Sequence, residues 1–325
     1  MKKIIAIDGG GSYTRAALVD ERGNVLGQGS AGPSNPNYVK HKDIKLQISQ
    51  AVRTAFDGAE LKPSPVSAAF LGIAGAGTAD GRKTLLDAVA PMDLAPADHV
   101  EIDHDLAIGL AGGLAGEPGI ILVSGTGSAC FGINHRGDRV RVGGWGHILD
   151  DEGSGYAMSI QGMRACVHAH DGRGPATTLG SKVFEYFDLC ELQDLVRLLY
   201  RTDTPRTKIA GFAPSVVEAA ERGDQPAQQI LRGCARDLAA LAAVAARRVE
   251  FCAPLKITLA GGLARSGEPF EPMVKQEITR QIANCRIPNP VLPPIGGAAI
   301  RALARIGVCM SNNLAKNLQS FQPVR

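Results

Sequence analysis

Two short glycine-rich segments hold residue types that suit phosphate binding. Residues 8–12 read Asp-Gly-Gly-Gly-Ser and residues 124–128 read Ser-Gly-Thr-Gly-Ser, and each follows an apolar run typical of a buried strand. Backbone N–H groups in such turns can point at an anion, and glycine allows a close approach because it has no side chain. Either segment alone is equally typical of a hairpin. The residues expected to contact phosphate are Gly9, Gly10, Gly11, Ser12, Gly125, Thr126 and Gly127.

Two carboxylates lie where they could take part in phosphate chemistry. Asp8 ends the first apolar run, where it would face Mg²⁺, through water because this ion keeps much of its hydration shell. Asp105 stands at a strand end and a predicted helix start, a position suited to accept the proton of an attacking hydroxyl. The alternative for Asp105 is a helix N-cap. We expect Asp103 to pair with a backbone group or tune its neighbour, and His104 to be structural.

A third segment, residues 143–155, combines five glycines with the only tryptophan of the chain, Trp145, and with the acidic residues Asp150, Asp151 and Glu152. Carboxylates accept hydrogen bonds from sugar hydroxyls, and exposed backbone amides donate to them. The alternative is a glycine-rich loop with a capping Asp, which so dense a cluster disfavours.

A fourth segment, residues 258–266, is a strand that ends in Gly261 and Gly262. Paired glycines would let a flat base or a ribose lie against the backbone, although an ordinary strand-to-helix turn is favoured if the segment stands alone. Two other phosphate motifs are excluded. Neither glycine turn opens a helix, as a dinucleotide fingerprint requires, and residues 75–84 have the wrong spacing for a P-loop, with Arg82 where the lysine must stand.

The periodicity predicts an α/β architecture in two similar halves. The first half reads βββαβαβα, and the order strand, glycine turn, strand, polar turn, strand then restarts at residue 119. Residues 151–251 are largely helical, and the tail after Gly307 is expected to be partly mobile. Predicted strands cover residues 3–8, 14–20, 25–29, 66–73, 100–102, 119–124, 128–134, 139–143 and 255–259. Predicted helices cover residues 43–56, 79–90, 105–114, 226–251, 270–282 and 296–306.

Length and composition bound the class of protein. The chain has 325 residues, enough for two domains, with 45% hydrophobic residues and a formal charge of only +3. No basic run predicts a nucleic-acid partner, and no stretch is long enough to span a membrane. The first apolar run is too short for a signal peptide. Seven dispersed cysteines without a C-x-x-C pair favour reduced thiols and a cytoplasmic location.

In this order the segments resemble the sugar kinase, Hsp70 and actin superfamily, and most closely the N-acetylglucosamine kinase branch of the BadF/BadG/BcrA/BcrD ATPase family. The resemblance spans residues 4–304 and is most specific at residues 8–11, 124–128 and 143–154. It implies two RNase-H-like (actin-like ATPase) domains around an interdomain cleft. It also implies ATP and Mg²⁺ as cofactors, and phosphate transfer to the 6-hydroxyl of an amino sugar, N-acetylglucosamine being the best guess.

The resemblance also assigns roles by position. Asp105 corresponds to the catalytic base. Positions that line the sugar are matched by Asn35, Asp105, Ser128, Ala129, Gly144, Trp145, Gly146 and Asp151. Positions of the nucleotide site are matched by Gly11, Ser12, Thr126, Ala210, Gly261, Gly262 and Ser266. Two departures, Asp150 where glycine is frequent and Ala129 where a polar residue can contact the sugar, leave the acyl-group preference open.

The expected domains are residues 1–110, completed by a C-terminal helix at about 297–325, and residues 111–296 with a helical insertion. We expect a homodimer that acts on a small sugar. Glucosamine, N-acetylmuramic acid and glucose remain alternative substrates. Two alternatives of another class remain. One is an iron–sulfur ATPase activator of a dehydratase or reductase, with Cys130 and Cys166 as candidate ligands. The other is a non-catalytic sugar sensor.

Overall fold

The computed structural model describes residues 1–201, 203–262 and 266–321. The strands are β1 (Lys3–Gly9), β2 (Thr14–Asp20), β3 (Val25–Ala31), β4 (Ala68–Ile73), β5 (Val100–Asp103), β6 (Gly119–Ser124), β7 (Ser128–Ile133), β8 (Arg139–Gly143), β9 (Leu255–Ala260) and β10 (Cys285–Arg286). The helices are α1 (His41–Gly58), α2 (Ala79–Val89), α3 (Asp105–Gly113), α4 (Gly155–His170), α5 (Leu179–Phe187), α6 (Leu192–Tyr200), α7 (Arg206–Ala210), α8 (Ala213–Glu221), α9 (Gln225–Arg248), α10 (Phe270–Gln281), α11 (Pro294–Arg305) and α12 (Asn312–Leu318). Short 3₁₀ helices cover Ala90–Met92 and Ala97–His99.

Two five-stranded sheets share one topology. The first has the order β3-β2-β1-β4-β5 and the second the order β10-β9-β6-β7-β8, which is the same series read from the other edge. In the first sheet β1 pairs antiparallel with β2 and parallel with β4. In the second, β7 pairs antiparallel with β8, and β6 pairs parallel with β9. The predicted duplication of supersecondary structure is thus confirmed.

The chain forms two compact units. Unit 1 comprises residues 1–119 and 288–325, and unit 2 comprises residues 120–287. Each unit contains one of the two sheets. The predicted domain limits at residues 110 and 296 stay a proposal for the functional domains.

The central strand of unit 1 is buried on both faces. Ile5 and Ile7 pack in a cluster with residues of α1 and α2, whereas Ile4 and Ala6 pack in a separate cluster with residues of α11. Such a strand reads as an unbroken apolar run rather than as an alternating one. This explains why residues 4–7 could be mistaken for the start of a signal peptide, although they lie in a sheet.

Unit 2 has one core, in which the sheet is covered by helices α4 to α10. Its longest helix, α9, begins at Asp224, whose carboxylate accepts a hydrogen bond from the Ala227 N–H at 3.0 Å and from the hydroxyls of Thr177 and Thr178. Alanines along the buried face of α9 let it approach β7, β8 and α10 closely.

The individually predicted elements agree with the structure to within a few residues at each end. Helices α4 to α8 were predicted only as a largely helical region, and β10 and α12 were not predicted. Strand β10 has only two residues, too few to show a periodicity. Helix α12 lies in the tail that was expected to be partly mobile, and that expectation is wrong for residues 312–318. The Ser311 hydroxyl caps the helix by accepting from the Leu314 N–H at 3.2 Å, and Leu314 and Leu318 are buried one turn apart. Residues 322–325 lie outside the described part of the tail.

A glycine contact joins α3 to α11 inside unit 1. A methyl group on Gly297 of α11 would collide with the backbone carbonyl of Ile108 and the backbone N–H of Gly112, both on α3. The small residues of both helices therefore allow the two backbones to touch. This contact holds the C-terminal segment against the helix that begins at Asp105.

We expect Gly297→Ala to destabilise the protein by about 1–3 kcal/mol, since backbone atoms cannot move aside for the added methyl group. The matched control is Gly233→Ala on α9, where an added methyl group meets nothing within 4 Å. That change should stabilise the protein by about 0.5–1 kcal/mol. Urea denaturation followed by circular dichroism measures both, and equal effects of the two substitutions would contradict the contact.

Candidate active site

The first glycine turn joins β1 to β2 and leaves two backbone donors available. The Gly10 N–H is taken by the Tyr13 carbonyl at 3.0 Å. Within the described chain, the N–H groups of Gly11 and Ser12 make no hydrogen bond. An added methyl group on Gly11 would meet nothing within 4 Å, so the space beside the turn is open. The turn therefore offers consecutive amides and a hydroxyl to an anion.

The Asn35 loop is tied to this turn. The N–H groups of Ser34 and Asn35 both donate to the Gly10 carbonyl, at 3.1 and 3.2 Å. The Asn35 Oδ1 atom accepts from the Asn37 N–H at 2.9 Å, which leaves the Nδ2 amide as the donor for a ligand. Asn35 is buried. The residue predicted to bind sugar is thus rigidly held beside the turn predicted to bind phosphate.

Asp8 is the most perturbed acid of unit 1. Burial raises the pKa of its carboxyl from 3.8 to about 6, the positive charge of Arg15 opposes the shift, and the negative charge of Asp105 adds to it. Arg15 is the cross-strand partner of Asp8, and its guanidinium lies over the Tyr13 ring at 4.4 Å. Asp8 and Asp105 are therefore close enough to repel each other, as two carboxylates in one site do.

Asp105 is not the cap of its helix. The N-cap of α3 is His104, whose Nδ1 atom accepts from the Ala107 N–H at 3.2 Å. Asp105 is the first helical residue and is exposed. The predicted structural role of His104 is confirmed, and so is the predicted backbone contact of Asp103, whose Oδ1 atom accepts from the His104 N–H at 2.8 Å. The alternative role considered for Asp105, capping the helix, is thus filled by His104.

The second glycine turn, between β6 and β7, repeats the pattern of the first. The Gly125 N–H is taken by the Gly127 carbonyl at 2.9 Å. In the part of the chain that the structure describes, the N–H groups of Thr126 and Gly127 make no hydrogen bond. Each turn therefore leaves two consecutive amides and one hydroxyl side chain, that of Ser12 or Thr126, available to a ligand.

Three hydrogen bonds fasten the second turn to the segment before α4. The Ser124 hydroxyl donates to the Gly153 carbonyl and the Ser128 hydroxyl to the Glu152 carbonyl, both at 2.7 Å. The Ser128 N–H donates to the Asp151 carboxylate at 3.2 Å. Both serines are buried. We call this set of bonds the turn latch, because it fixes the glycine turn against the start of α4.

Asp151 combines burial with a strained backbone. Its φ of 68° is the left-handed conformation that residues with a side chain rarely adopt. Burial raises the pKa of its carboxyl, the Ser128 N–H opposes this, Asp150 adds to it, and the positive charges of Arg206 and His147 oppose it. A buried, strained acid is typical of a functional position.

The loop before Asp151 is closed by Asp150, whose Oδ2 atom accepts from the Trp145 N–H at 3.0 Å. Gly144 lies beside Ala129, since a methyl group on Gly144 would be 3.1 Å from the Ala129 side chain. Ser128, Ala129, Gly144 and Asp151 therefore lie together, as the sequence predicts for sugar-binding residues. Trp145 belongs to the same loop, but its side chain is 77% exposed, and Gly146 has open space around it.

A cavity of about 620 Å³ opens beside the second turn, within unit 2. Five of the residues predicted to bind nucleotide line it, namely Gly125, Thr126, Ala210, Gly262 and Ser266. Gly261 supports the cavity from behind, because its positive φ and lack of a side chain let it touch the Ser124 carbonyl. Residues 263–265 of this predicted segment lie outside the described chain.

The sequence did not indicate nine of the fourteen residues that line this cavity. The further lining residues are Gly155, Thr207, Gly211, Ala213, Pro214, Val217, Glu218, Glu221 and Glu268. Most belong to α7 and α8, whose sequence carries no motif and reads as ordinary helix. The wall they form is apolar at Ala213, Pro214 and Val217, with carboxylates at its edge.

Asp8 fits a place beside a divalent cation. Its carboxylate makes no hydrogen bond or ion pair within the described residues, and Asp105 repels it. A divalent cation would give the Asp8 carboxylate a partner and would offset its repulsion by Asp105. Among the described residues no group of three or more His, Cys, Asp and Glu side chains could hold a metal. A single carboxylate suits an ion that keeps most of its water ligands, as Mg²⁺ does.

The two cysteines considered for an iron–sulfur cluster are buried in unit 2. Cys130 is fully buried within β7, and Cys166 is buried on α4. Burial raises the pKa of both thiols, which disfavours the thiolate that a cluster needs. Neither side chain is placed to reach iron at a protein surface.

In the described chain no helix has the length and apolar character required to cross a membrane.

Comparison with known proteins identifies the family. A model of the BadF/BadG/BcrA/BcrD ATPase family matches residues 5–302. The chain belongs to this ATPase family. The two sheets of identical topology are those of its actin-like, RNase-H-like domains, and the predicted fold class is confirmed.

Relatives within the family are named as sugar kinases. The chain is 34% identical to the N-acetylmuramic acid/N-acetylglucosamine kinase of Clostridium acetobutylicum, over 73% of this chain and 77% of that protein. It is 28% identical to the N-acetyl-D-glucosamine kinase of Dictyostelium discoideum, over 92% and 97%. A solved structure from Chromobacterium violaceum, described as a candidate N-acetylglucosamine kinase, is 25% identical with a TM-score of 0.74, over 93% and 99%.

The raised pKa of Asp8 predicts a pH-dependent stability. Because the folded-state pKa of about 6 exceeds the ordinary 3.8, the unfavourable charge is absent below about pH 4 and complete above about pH 6. Asp8→Asn should therefore raise stability at pH 8 by roughly 1–3 kcal/mol in the presence of a chelator, with no gain near pH 4. Thermal unfolding at the two pH values measures this.

Asp87→Asn is the control, because Asp87 is exposed on α2 of the same unit and has no ion pair within the described residues. It should leave the unfolding temperature unchanged at both pH values. A gain for Asp8→Asn that is equal at pH 4 and pH 8 would show that the charge of Asp8 is not its cause.

Proposed function

We propose that this protein is an ATP-dependent kinase that transfers a phosphoryl group to the 6-hydroxyl of N-acetylglucosamine. The observation that carries the nucleotide part is the second glycine turn, fixed by the turn latch and open to a cavity of about 620 Å³. Membership of an ATPase family supports the same part. The names of the relatives from Clostridium acetobutylicum and Dictyostelium discoideum support the sugar.

In unit 2 we assign the nucleotide to this cavity. The apolar wall at Ala213, Pro214 and Val217 suits a flat base, and Glu218, Glu221 or Glu268 could accept hydrogen bonds from ribose hydroxyls or from a base amine. The free N–H groups of Thr126 and Gly127 suit phosphate oxygens. The free N–H groups of Gly11 and Ser12 in unit 1 suit the same chemistry.

The sugar would use one donor and several acceptors. In unit 1, the Asn35 Nδ2 amide is available because Oδ1 is already bonded to the Asn37 N–H. In unit 2, the buried Asp151 carboxylate accepts a hydrogen bond from the Ser128 N–H and from no other group of the described residues. It therefore has lone pairs left for sugar hydroxyls. Trp145, with its exposed ring, could pack on a sugar face.

Asp105 is assigned as the general base. It would accept the proton of the 6-hydroxyl as that oxygen forms a bond to the γ-phosphorus and the bond to the leaving ADP oxygen breaks. Mg²⁺, held near Asp8, would offset the negative charge of the phosphates. His104 carries the helix cap, so the Asp105 carboxylate can turn towards substrate without unfastening α3.

Asp105→Asn should lower the turnover number by about two to four orders of magnitude, since the proton acceptor is lost. ATP binding should persist. Asp80→Asn is the control, because Asp80 also lies in the first turn of a helix of unit 1 and is exposed. A coupled assay of ADP release gives turnover, and calorimetry gives ATP affinity. Near-normal turnover of Asp105→Asn would refute the assignment.

A panel of sugars tests the substrate. We expect N-acetylglucosamine to give the highest kcat/KM, with N-acetylmuramic acid the strongest competitor because the relative from Clostridium acetobutylicum is named for both sugars. Glucosamine and glucose should be poorer substrates. Phosphorus-coupled NMR of the product locates the phosphate, and a product phosphorylated elsewhere than at the 6-position would contradict the proposal.

The remaining assignments concern oligomeric state, location and partners. A homodimer and a cytoplasmic location stay proposals, as does the absence of nucleic-acid and membrane partners. The non-catalytic sensor is disfavoured because Asp105 is both exposed and not needed as a helix cap.

A further inference from the structure

A second cavity of unit 2 lies outside the site described above. It is a groove of about 470 Å³ between one face of α4 and one face of α6. The α4 residues that line it recur at helical spacing from Tyr156 to His168, and the α6 residues from Leu192 to Tyr200. It shares no lining residue with the cavity assigned to the nucleotide. We call it the α4–α6 groove.

The apolar face of α6 is only partly covered. Leu195 is 2% exposed and reaches the core, whereas Val196 is 54% exposed and Tyr200 is 85% exposed. Both exposed side chains line the α4–α6 groove. Single exposed apolar residues are common on protein surfaces, but several of them lining one cavity are not. An exposed apolar wall of this kind is typical of a binding surface.

The opposite wall and the ends of the groove are basic. Arg164 and His168 line it from α4, Arg173 lies beyond the end of α4, and His147 closes the other end with its ring 4.7 Å from that of Tyr156. Among the described residues that line the groove, none carries a carboxylate. The ionisable side chains that line the groove are therefore basic, apart from the tyrosines.

The arginines differ in their partners. The Arg173 Nε atom is paired with Asp171 at 2.9 Å. The Arg164 side chain, in contrast, has no ion pair or hydrogen bond within the described residues, and the residue is exposed. An unpaired guanidinium beside an apolar wall is the arrangement that recognises a carboxylate, sulfonate or phosphate carried by an apolar body.

We propose that the α4–α6 groove binds a small organic anion with an apolar or aromatic body, whose charged group pairs with Arg164. A volume of about 470 Å³ is that of a small-molecule site and not of a flat protein interface. The body of the ligand lies on Val196 and Tyr200, and the charged group faces α4. The groove shares His147 with the segment predicted to bind sugar, but the proposal does not depend on the kinase reaction.

Two fluorescent probes test the proposal. One is 8-anilinonaphthalene-1-sulfonate, an aromatic anion, and the other is N-phenyl-1-naphthylamine, which has the same aromatic body without the charge. We expect the anionic probe to bind the full-length protein at one site. Arg164→Gln should weaken its affinity about tenfold, as the loss of one charged hydrogen bond does, and leave the affinity of the uncharged probe within about twofold.

The control is Arg197→Gln on α6, since Arg197 pairs with Glu191 and Asp194 and does not line the groove. It should leave both affinities unchanged. A second variant, Val196→Asp, places a carboxylate in the groove and should weaken the anionic probe more than the uncharged one. Circular dichroism of each variant establishes that it is folded.

Three outcomes would overturn the proposal. The first is an anionic-probe affinity that neither Arg164→Gln nor Val196→Asp changes. The second is displacement of the probe by ATP in competition, which would locate it in the nucleotide cavity. The third is a change from dimer to monomer for Val196→Asp in analytical ultracentrifugation, which would make a second copy of the chain the occupant of the groove.

Discussion

The hydrogen bond from the Ser128 N–H to the Asp151 carboxylate is the constraint on which the site of unit 2 depends. Asp151 holds a strained backbone conformation, and such a conformation persists only where its surroundings determine it. The same residue turns the chain so that the carbonyls of Glu152 and Gly153 meet the hydroxyls of Ser128 and Ser124. Gly155 is thereby brought to the wall of the nucleotide cavity. These bonds join the second glycine turn, the loop before Asp151 and the start of α4 into one assembly.

The two units use the same topology for different purposes at equivalent positions. The strand before the first turn ends near Asp8, a largely buried carboxylate whose pKa is raised. The strand before the second turn ends at Ser124, a neutral residue bonded to the Gly153 carbonyl. In unit 1 the buried charge of Asp8 is unfavourable until a cation neutralises it. In unit 2 hydrogen bonds hold the glycine turn rigid. Because the equivalent strand ends carry a charged residue in one unit and a neutral residue in the other, the fold suits a reaction that needs both charge compensation and a rigid phosphate site.

The sequence predicted most of the fold because its signals are local. Apolar runs that end in glycine turns give β1, β6 and β9, and helical periodicity gives α1, α9 and α11. The site was harder to predict where its residues carry no motif, as in the α7–α8 wall of the nucleotide cavity, which only tertiary packing brings to Thr126. The role of His104 as the cap of α3 depends on side-chain geometry that spacing alone does not give. Helix α12 was missed because two buried leucines are too few to show a period.

The interlocked helices α3 and α11 have a consequence for biosynthesis. The residues that cover one face of β1, among them Ile295, Ala299 and Leu303, come from the last forty residues of the chain. A ribosome therefore completes all of unit 2 before it releases the segment that closes unit 1. Until then Ile4, Ala6 and Phe70 have Ile108 of α3 in their apolar cluster but lack the residues of α11 and α12. The N-terminal strand is made first and buried last, so the emerging chain must keep this face from aggregating until its final helices arrive.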